Sequence, residues 1–473
     1  MDIEFVRPLL KYLPEVKIPE RKVPFKEKLI WTSIVLVLFF VMGVIYPYGV
    51  TPETLSEHIR GFEQMTMIFA SSIGTLTSVG IGPIVTASII LQLLVGADMI
   101  KIDLKVKEGK ALFQGAQKML TVLIAIFEAG ALVIATNMVG QADLPFMQKM
   151  AEPIVIFTIF QIALGSILLM YMDEVVSKWG IGSGISLFIA GGVSHQIITG
   201  TINPLTSSGG AYAGYIPNFL AQMMVGNMDF TLLAPIFATI LVFAVVVYCE
   251  AMKIEIPLSY GSIRGVGGRI PLRFFYVSNI PVILASALLM NLRMWTGLVG
   301  VDVNSSIVPA NMSFFQNIVY EIAKYLTLGN LYQILQPQNW YQLSDPLMFV
   351  HLLIYTIIFC GMCVLFGQFW VQTTGLDSES MAKQIDDSGM KIPGFRPDKR
   401  IIKTVLDKYI PQLTIISSVG VGLLSTTADL MGALGSGTGI LLTVGIIYRL
   451  YEDIQREQMA DMSPMFRRFM GKD

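Results

Sequence analysis

Residues 69–96 form an apolar stretch that does not fit a single membrane-spanning helix. The first part is rich in serine, threonine and glycine, and Pro83 then interrupts the backbone hydrogen bonding that a helix interior needs. Only Ile84 to Val95 follow the proline, whereas about 20 residues are needed to cross the hydrocarbon. Broken backbone is tolerated at membrane depth where protein or water satisfies its polar groups. The stretch therefore predicts a broken span that lines a cavity.

The composition places the chain among integral membrane proteins. Of its 473 residues, 53% are hydrophobic and 14% are charged, and the mean hydropathy is +0.63. Soluble domains carry about 25% charged residues. No cleavable signal peptide is expected, since residues 1–28 are charged and interrupted by prolines. Cys249, Cys360 and Cys363 lie in or beside apolar segments, which favours inert thiols over a redox switch.

Apolar windows predict ten membrane spans, at roughly 29–48, 69–95, 113–136, 153–172, 182–200, 231–251, 272–292, 347–371, 411–430 and 437–451. Both termini are predicted to be cytoplasmic, because 28 of the 33 lysines and arginines then lie on that side. Five spans precede residue 225 and five follow it, so the second half enters the membrane with the opposite sense. This arrangement indicates an inverted repeat, although the halves share no clear sequence identity.

The residues give no support to an enzyme. Glu128 is the only carboxylate near the middle of a predicted span, and the three histidines are scattered. Neither metal-ligand spacing nor a nucleophile with a base is present, so we predict no catalytic residue, metal or cofactor. The glycines between Arg264 and Arg269 indicate a flexible loop tip rather than a phosphate site, because no strand is predicted before them.

One pattern recurs, a glycine or proline break followed by branched aliphatic residues. The examples are GIGPIV (80–85), GIGSGISLFIA (180–190), NIPVI (279–283) and GALGSGTGILL (432–442). Such breaks permit close helix packing. They also suit an apolar constriction that excludes water and ions. The residues alone favour helix packing, and they do not exclude an apolar constriction.

These motifs, in this order, resemble the SecY family, the large subunits of the Sec protein-conducting channel, in its archaeal form. The resemblance covers almost the whole chain, but few family motifs are matched in 200–230 and 294–345. It rests on FKEKL (25–29), IGTL with GIGPIVTA (73–87), QLLVG (92–96), ALFQGAQK (111–118), DEVVSKWGIGSGISLFIAGGVS (173–194), EIPLSYG (255–261), YVSNIPVILA (276–285), WVQTTGLD (370–377), PGFRP (393–397) and GALGSGTGILLTVGIIYRLYE (432–452).

The resemblance implies an all-α integral membrane protein, in which ten transmembrane helices in two inverted five-helix halves form a clam-shaped channel with a plug. The expected divisions are a cytoplasmic N-terminal segment (1–28), a first half (29–200), an external loop (201–230), a second half (231–451) with cytoplasmic loops at 253–273 and 373–410, and a cytoplasmic C-terminal tail (452–473).

The resemblance also implies roles for particular residues. The pore ring would consist of branched aliphatic side chains, namely Ile81, Val85, Ile185, Ile189, Ile283 and Leu442. The lateral gate would carry a polar cluster of Thr86, Glu128 and Asn291. The plug would span about 61–76, with Gly61, Ser71, Ser72, Gly74 and Leu76, and Gly80 and Gly82 would let it move. Docking to ribosomal RNA phosphates would use basic residues, namely Arg264, Arg269, Lys391, Arg396, Lys399 and Arg400.

The implied function is the central pore-forming subunit of the Sec translocon. It would conduct unfolded secretory polypeptides and release transmembrane segments sideways into lipid. The implied partners are a SecE-type γ subunit, a small β subunit, the translating ribosome, signal sequences, nascent polypeptides and membrane lipid, with the chain in the plasma membrane. The alternative is a secondary transporter with an inverted-repeat fold, which explains the broken helices but not the scarcity of ionisable groups or the long basic loops.

Overall fold

The computed structural model describes residues 14–21, 23–50, 70–96, 99–100, 102, 107–136, 138–139, 148, 151–206, 212–226, 229–260, 267–277, 280–298, 313–326, 346–387, 390–391 and 399–461. Within these residues the chain is mostly helical and carries one small sheet. Part of the predicted plug, residues 61–69, lies outside the described residues. The loop tip at 261–266 and residues 392–398 lie wholly outside them.

The first half is a bundle of apolar helices. They are α1 (Phe25–Met42), α2 (Gly82–Gly96), α3 (Lys107–Ala135), α4 (Pro153–Trp179) and α5 (Gly184–Ile202). Helix α3 packs between α2 and α4, while α1 packs against α4 and α5. Helix α2 begins at Gly82, so the break predicted near Pro83 is confirmed.

The second half repeats this organisation after a short connecting helix. Its elements are α6 (Tyr215–Met224), a 3₁₀ helix (Phe230–Leu233), α7 (Ala234–Ala251), α8 (Ile280–Leu298), α9 (Phe314–Leu326), α10 (Pro346–Thr374), α11 (Ser378–Asp387), α12 (Lys399–Leu430) and α13 (Gly437–Asp461). Each of the ten predicted spans overlaps one of the helices. In the described residues, six helices are long and apolar enough to cross a membrane, and Gly82–Gly96 and Ile280–Leu292 are shorter apolar helices.

A small antiparallel sheet joins the two long basic loops. Its strands are β1 (Lys253–Tyr260), β2 (Gly267–Arg273) and β3 (Met390–Lys391), in the order β2-β1-β3. The expectation that no strand precedes the glycines near Arg264 is wrong, since β1 lies before them and β2 contains Gly267. Alternating residues such as Ile254, Ile256 and Leu258 carry the strand pattern that was missed.

The two halves meet along two seams. At one seam α5 packs against α13, and at the other α2 and α3 pack against α8. One continuous hydrophobic cluster fills the space between the halves. A smaller cluster, which includes Leu272, Ala382 and Leu406, packs the sheet end and α11 onto α12. The membrane bundle and the loop region therefore have separate cores.

Candidate functional site

The segment before α2 is a hydrogen-bonded turn rather than a helix. The amide of Thr75 donates to the carbonyl of Ser72 at 3.1 Å, and the hydroxyl of Ser78 accepts from the amide of Gly74 at 3.0 Å. Gly80 then has φ +59°, a left-handed value that glycine adopts without a Cβ clash. Protein groups thus satisfy much of this broken backbone, as a membrane interior requires.

The turn is docked tightly onto the first half. The amide of Leu76 donates to the carbonyl of Ile45 at 2.9 Å. A Cβ built on Gly165 of α4 would lie 2.0 Å from the carbonyl oxygen of Leu76, so only glycine leaves room for this contact. Among the predicted plug residues, Ser71 and Gly74 are buried, Ser72 and Leu76 are partly buried, and Gly61 lies outside the described residues.

The predicted ring residues belong to one hydrophobic cluster between the halves. Ile81, Ile189 and Leu442 are completely buried and Val85 is 6% exposed. Ile185 and Ile283 are partly buried and pack against the same cluster. Branched aliphatic side chains from α5, α8, α13 and the start of α2 therefore share one packed cluster that joins the two halves.

A cavity opens beside this cluster. It has a volume of about 230 Å³ and lies between α5, α8 and α13, with Ser186, Ala190, Ile283 and Ile446 in its lining. Ile283 therefore borders both the packed aliphatic cluster and the open space.

The structure brings the three predicted gate residues together across the second seam. The hydroxyl oxygen of Thr86 lies 2.7 Å from Oε1 of Glu128 and accepts a hydrogen bond of 2.6 Å from Nδ2 of Asn291. All three side chains are at least 95% buried, since Thr86 is 5% exposed, Glu128 0% and Asn291 1%. The Thr86 hydroxyl also lies 2.9 Å from the carbonyl oxygen of Gly82, one turn earlier. Thr86 thus connects α2 to α3 and to α8.

An aromatic contact that the sequence reasoning missed crosses the same seam. The rings of Phe127 on α3 and Trp295 on α8 meet edge to face, with centroids 6.1 Å apart. Phe127 precedes Glu128, and Trp295 lies one helical turn after Asn291. The sequence carried one signal for this contact, because both aromatic residues lie close in sequence to predicted gate residues and therefore on the same two helices. Edge-to-face pairs add about 0.5–1.5 kcal/mol to the energy of burial.

The candidate docking residues lie on two loops that the sheet brings together. Arg269 pairs in register with Pro257, and Lys391 pairs with Ser259, so both positions flank the same strand. Nζ of Lys399 lies 4.0 Å from Oε1 of Glu379. Arg400 is exposed, whereas Arg264 and Arg396 lie outside the described residues.

Tyr276 fastens this loop region to the end of α10. Its hydroxyl donates to the carbonyl of Leu376 at 2.5 Å. Burial of the side chain raises the pKa of Tyr276 to about 12, and the nearby charge of Asp377 acts in the same direction. The phenol therefore stays neutral, and able to donate, throughout the physiological range.

Comparison with known proteins gives a consistent family. The SecY family model matches residues 75–451. The chain is 45% identical over 470 residues to the protein translocase subunit SecY of Methanocaldococcus jannaschii, covering 98% of this chain and 99% of the relative. It is 42% identical over 475 residues to that of Pyrococcus horikoshii, with 97% of each chain covered.

Solved structures agree with the sequence relatives. A protein-conducting channel is similar with a TM-score of 0.80 and 43% identity, over 97% of this chain and 98% of the other. The Sec61 of a canine ribosome–channel complex from the endoplasmic reticulum is similar with a TM-score of 0.77 and 43% identity, over the same shares of the two chains, 97% and 98%.

Proposed function

Since the chain belongs to the SecY family, we propose that it conducts unfolded polypeptides through the aliphatic constriction between its halves and releases apolar segments sideways into lipid. It is a channel subunit rather than an enzyme. The observation that carries the proposal is the buried contact of Thr86 with Glu128 and Asn291, which lies at a seam between the two halves.

The constriction suits a channel for polypeptides of any sequence. Ile81, Ile189 and Leu442 present aliphatic surface without hydrogen-bonding groups. Such a surface does not bind a particular side chain and does not solvate ions. Polar walls would retain the substrate and let ions pass. We therefore assign the ring role to the whole predicted set.

The gate role follows from the polar contact that joins α2 and α3 to α8. An arriving apolar helix would insert at the seam and separate the helices, which breaks the polar contact. It offers no hydrogen-bond partner to Glu128, Thr86 or Asn291. A polar group left in hydrocarbon without a partner is costly. The same contact therefore keeps the seam closed in the resting channel.

We assign the plug role to the segment that ends with the turn at 70–76. Its support is the narrow dock formed by Gly165 and Ile45 directly before the ring residue Ile81. Displacing the turn would break the hydrogen bond from the amide of Leu76 to the carbonyl of Ile45.

We place both termini on the cytoplasmic side of a plasma membrane. Nζ of Lys28 at the start of α1 lies 2.7 Å from Oε1 of Glu457 near the end of α13, so the start of the first helix lies beside the end of the last. Arg273 and Glu452 form an ion pair on the same side, next to the sheet. Basic residues concentrate there, as expected for cytoplasmic loops.

The partners we propose are the translating ribosome, a SecE-type γ subunit and a small β subunit. The ribosome would bind the basic loops around the sheet, and binding to RNA phosphates should weaken as salt rises. The two small subunits are supported by the family resemblance.

Photocrosslinking tests the conducting role. A photoreactive residue at Ile185 or Ile283 should react with a stalled, ribosome-bound secretory chain, and only when that chain carries a signal sequence. A probe at Ile198 on the outer face of α5, where the side chain is 60% exposed, serves as control and should not react. Equal reaction from all three positions, or none from the ring positions in folded protein, would contradict the proposal.

Ion leak separates a channel from a transporter. Ile283→Asn should let ions pass through the reconstituted protein without any substrate, because the amide forms hydrogen bonds with water and so lets water enter the constriction. Ile357→Asn on α10 is the matched control, since that side chain is 62% exposed on the outer surface. A transporter would instead lose uptake of its substrate without leaking.

A further inference from the structure

The last helix of each half begins at the final glycine of the same Gly-Ser-Gly sequence. This sequence occupies residues 182–184 at the start of α5 and 435–437 at the start of α13. Gly182 and Gly435 share a left-handed backbone, with φ +76° and +79°. Only glycine adopts this conformation readily. The halves therefore share this local motif and backbone conformation, although their overall sequences show no clear identity.

A carboxylate from the preceding helix caps α5. Oδ1 of Asp173, near the end of α4, accepts hydrogen bonds from the amide of Ile185 at 2.9 Å and from the hydroxyl of Ser183 at 3.3 Å. A Cβ built on Gly184 would lie 2.5 Å from Cα of Asp173, so the glycine permits the close approach. The first amides of a helix lack intrahelical partners and favour negative charge.

The second half repeats this cap. Oδ1 of Asp429, near the end of α12, accepts from the amide of Gly437 at 2.6 Å, and Oδ2 accepts from the hydroxyl of Thr438 at 3.1 Å. A Cβ built on Gly437 would lie 2.2 Å from Cβ of Ala428, next to the aspartate. At each site a glycine thus brings the helix start against the chain segment that carries the carboxylate.

The two caps act on opposite ends of one helix pair. Helices α5 and α13 pack together. The start of α5 lies beside the middle of α13, since a Cβ on Gly182 would be 3.9 Å from Cδ1 of Leu450. The start of α13 lies near the end of α5, since a Cβ on Gly435 would be 3.0 Å from Cγ1 of Ile197. The pair is therefore antiparallel, with one carboxylate holding each end.

We propose that Asp173 and Asp429 are paired positioning residues that hold α5 and α13 in register and thereby keep the constriction closed. The proposal rests on the ring assignment under the proposed function. Ile185, whose amide Asp173 binds, is itself a ring residue, and Leu442 lies one turn after Thr438. Loss of either cap shifts a helix that carries ring side chains.

The test compares ion leak through the reconstituted complex in the absence of substrate. Asp173→Ala and Asp429→Ala should each raise the leak about five-fold, the change in population that a helix cap of ordinary strength controls. Asp173→Asn and Asp429→Asn keep an acceptor oxygen and should leak less than the alanine variants. Amide hydrogen exchange at Ile185 should accelerate in Asp173→Ala, which reports the helix start directly.

Asp229→Ala is the matched control. Asp229 caps the 3₁₀ helix before α7 by accepting from the amide of Thr231 at 3.0 Å, and α7 carries no proposed ring residue. The control should lose a cap without leaking. Equal leak in the control, or no leak in folded Asp173 and Asp429 variants whose amide exchange is accelerated, would overturn the proposal. Wild-type crosslinking of a nascent chain from Ile283 is scored separately, so a failed positioning role stays distinct from a failed conducting role.

Discussion

Replacing Thr86 by valine removes one hydroxyl from the closed seam and preserves the shape of the side chain. That hydroxyl contacts Glu128 at 2.7 Å and Asn291 at 2.6 Å, and both partners are buried. Thr86→Val therefore leaves a buried carboxyl oxygen and a buried amide nitrogen without this partner. Both losses fall on the closed state, because an open seam gives these groups other surroundings.

Two estimates bracket the size of the effect. Hydrogen bonds between membrane helices are worth about 0.6 kcal/mol each, so two lost bonds cost about 1.2 kcal/mol. Leaving buried polar groups unsatisfied costs about 1–3 kcal/mol per group, so the two groups together cost at least about 2 kcal/mol. At 1.4 kcal/mol per factor of ten, the ratio of closed to open channels should fall about 7-fold by the first estimate and at least about 27-fold by the second.

The assay is resting ion conductance of the reconstituted complex, together with transport of a substrate whose signal sequence has been weakened. Both should increase in Thr86→Val. Thr426→Val is the matched control, because Thr426 is also buried and its hydroxyl donates at 2.9 Å to the carbonyl of a glycine one turn earlier, Gly422. Its only hydrogen bond shown within the described residues is this intrahelical one. A change in Thr86→Val no larger than that in the control would refute the reasoning.

Three further predictions follow from single contacts. Gly165→Ala should displace the docked turn and raise resting ion leak, because its Cβ would lie 2.0 Å from a carbonyl oxygen, whereas Gly130→Ala, with its nearest atom at 3.8 Å, should not. Phe127→Ala should favour the open gate by about 1 kcal/mol through loss of the ring contact, seen as easier transport of substrates with weakened signal sequences. Tyr276→Phe should lower the unfolding free energy by about 1 kcal/mol at pH 7. The raised pKa means that the wild-type stabilisation is complete below the unfolded pKa of about 10 and is lost as pH rises towards about 12, so the melting temperatures of the two proteins should become equal at a pH between these two values.

Local patterns in the sequence predicted the helices and the break before α2. The apolar windows predicted helices at every span, because membrane helices satisfy their own backbone and need only a long apolar stretch. The break before α2 was predictable for the same reason, since Pro83 and its neighbouring glycines are local signals. The ring and gate residues came from the family motifs, and the structure brings Thr86, Glu128 and Asn291 together as the resemblance implies.

Contacts between distant residues depended on the tertiary structure. Nothing in the pattern around Gly165 indicates that the carbonyl of Leu76 approaches it, and nothing around Ser259 indicates its pairing with Lys391. The capping role of Asp429 is equally hidden, because an aspartate at a helix end is common and its partner depends on how the chain turns back. By itself the sequence determined which segments cross the membrane, since hydropathy and backbone chemistry act within a segment. Only the tertiary structure decided which side chains close the seam and hold the helices, since those energies arise when separate segments pack.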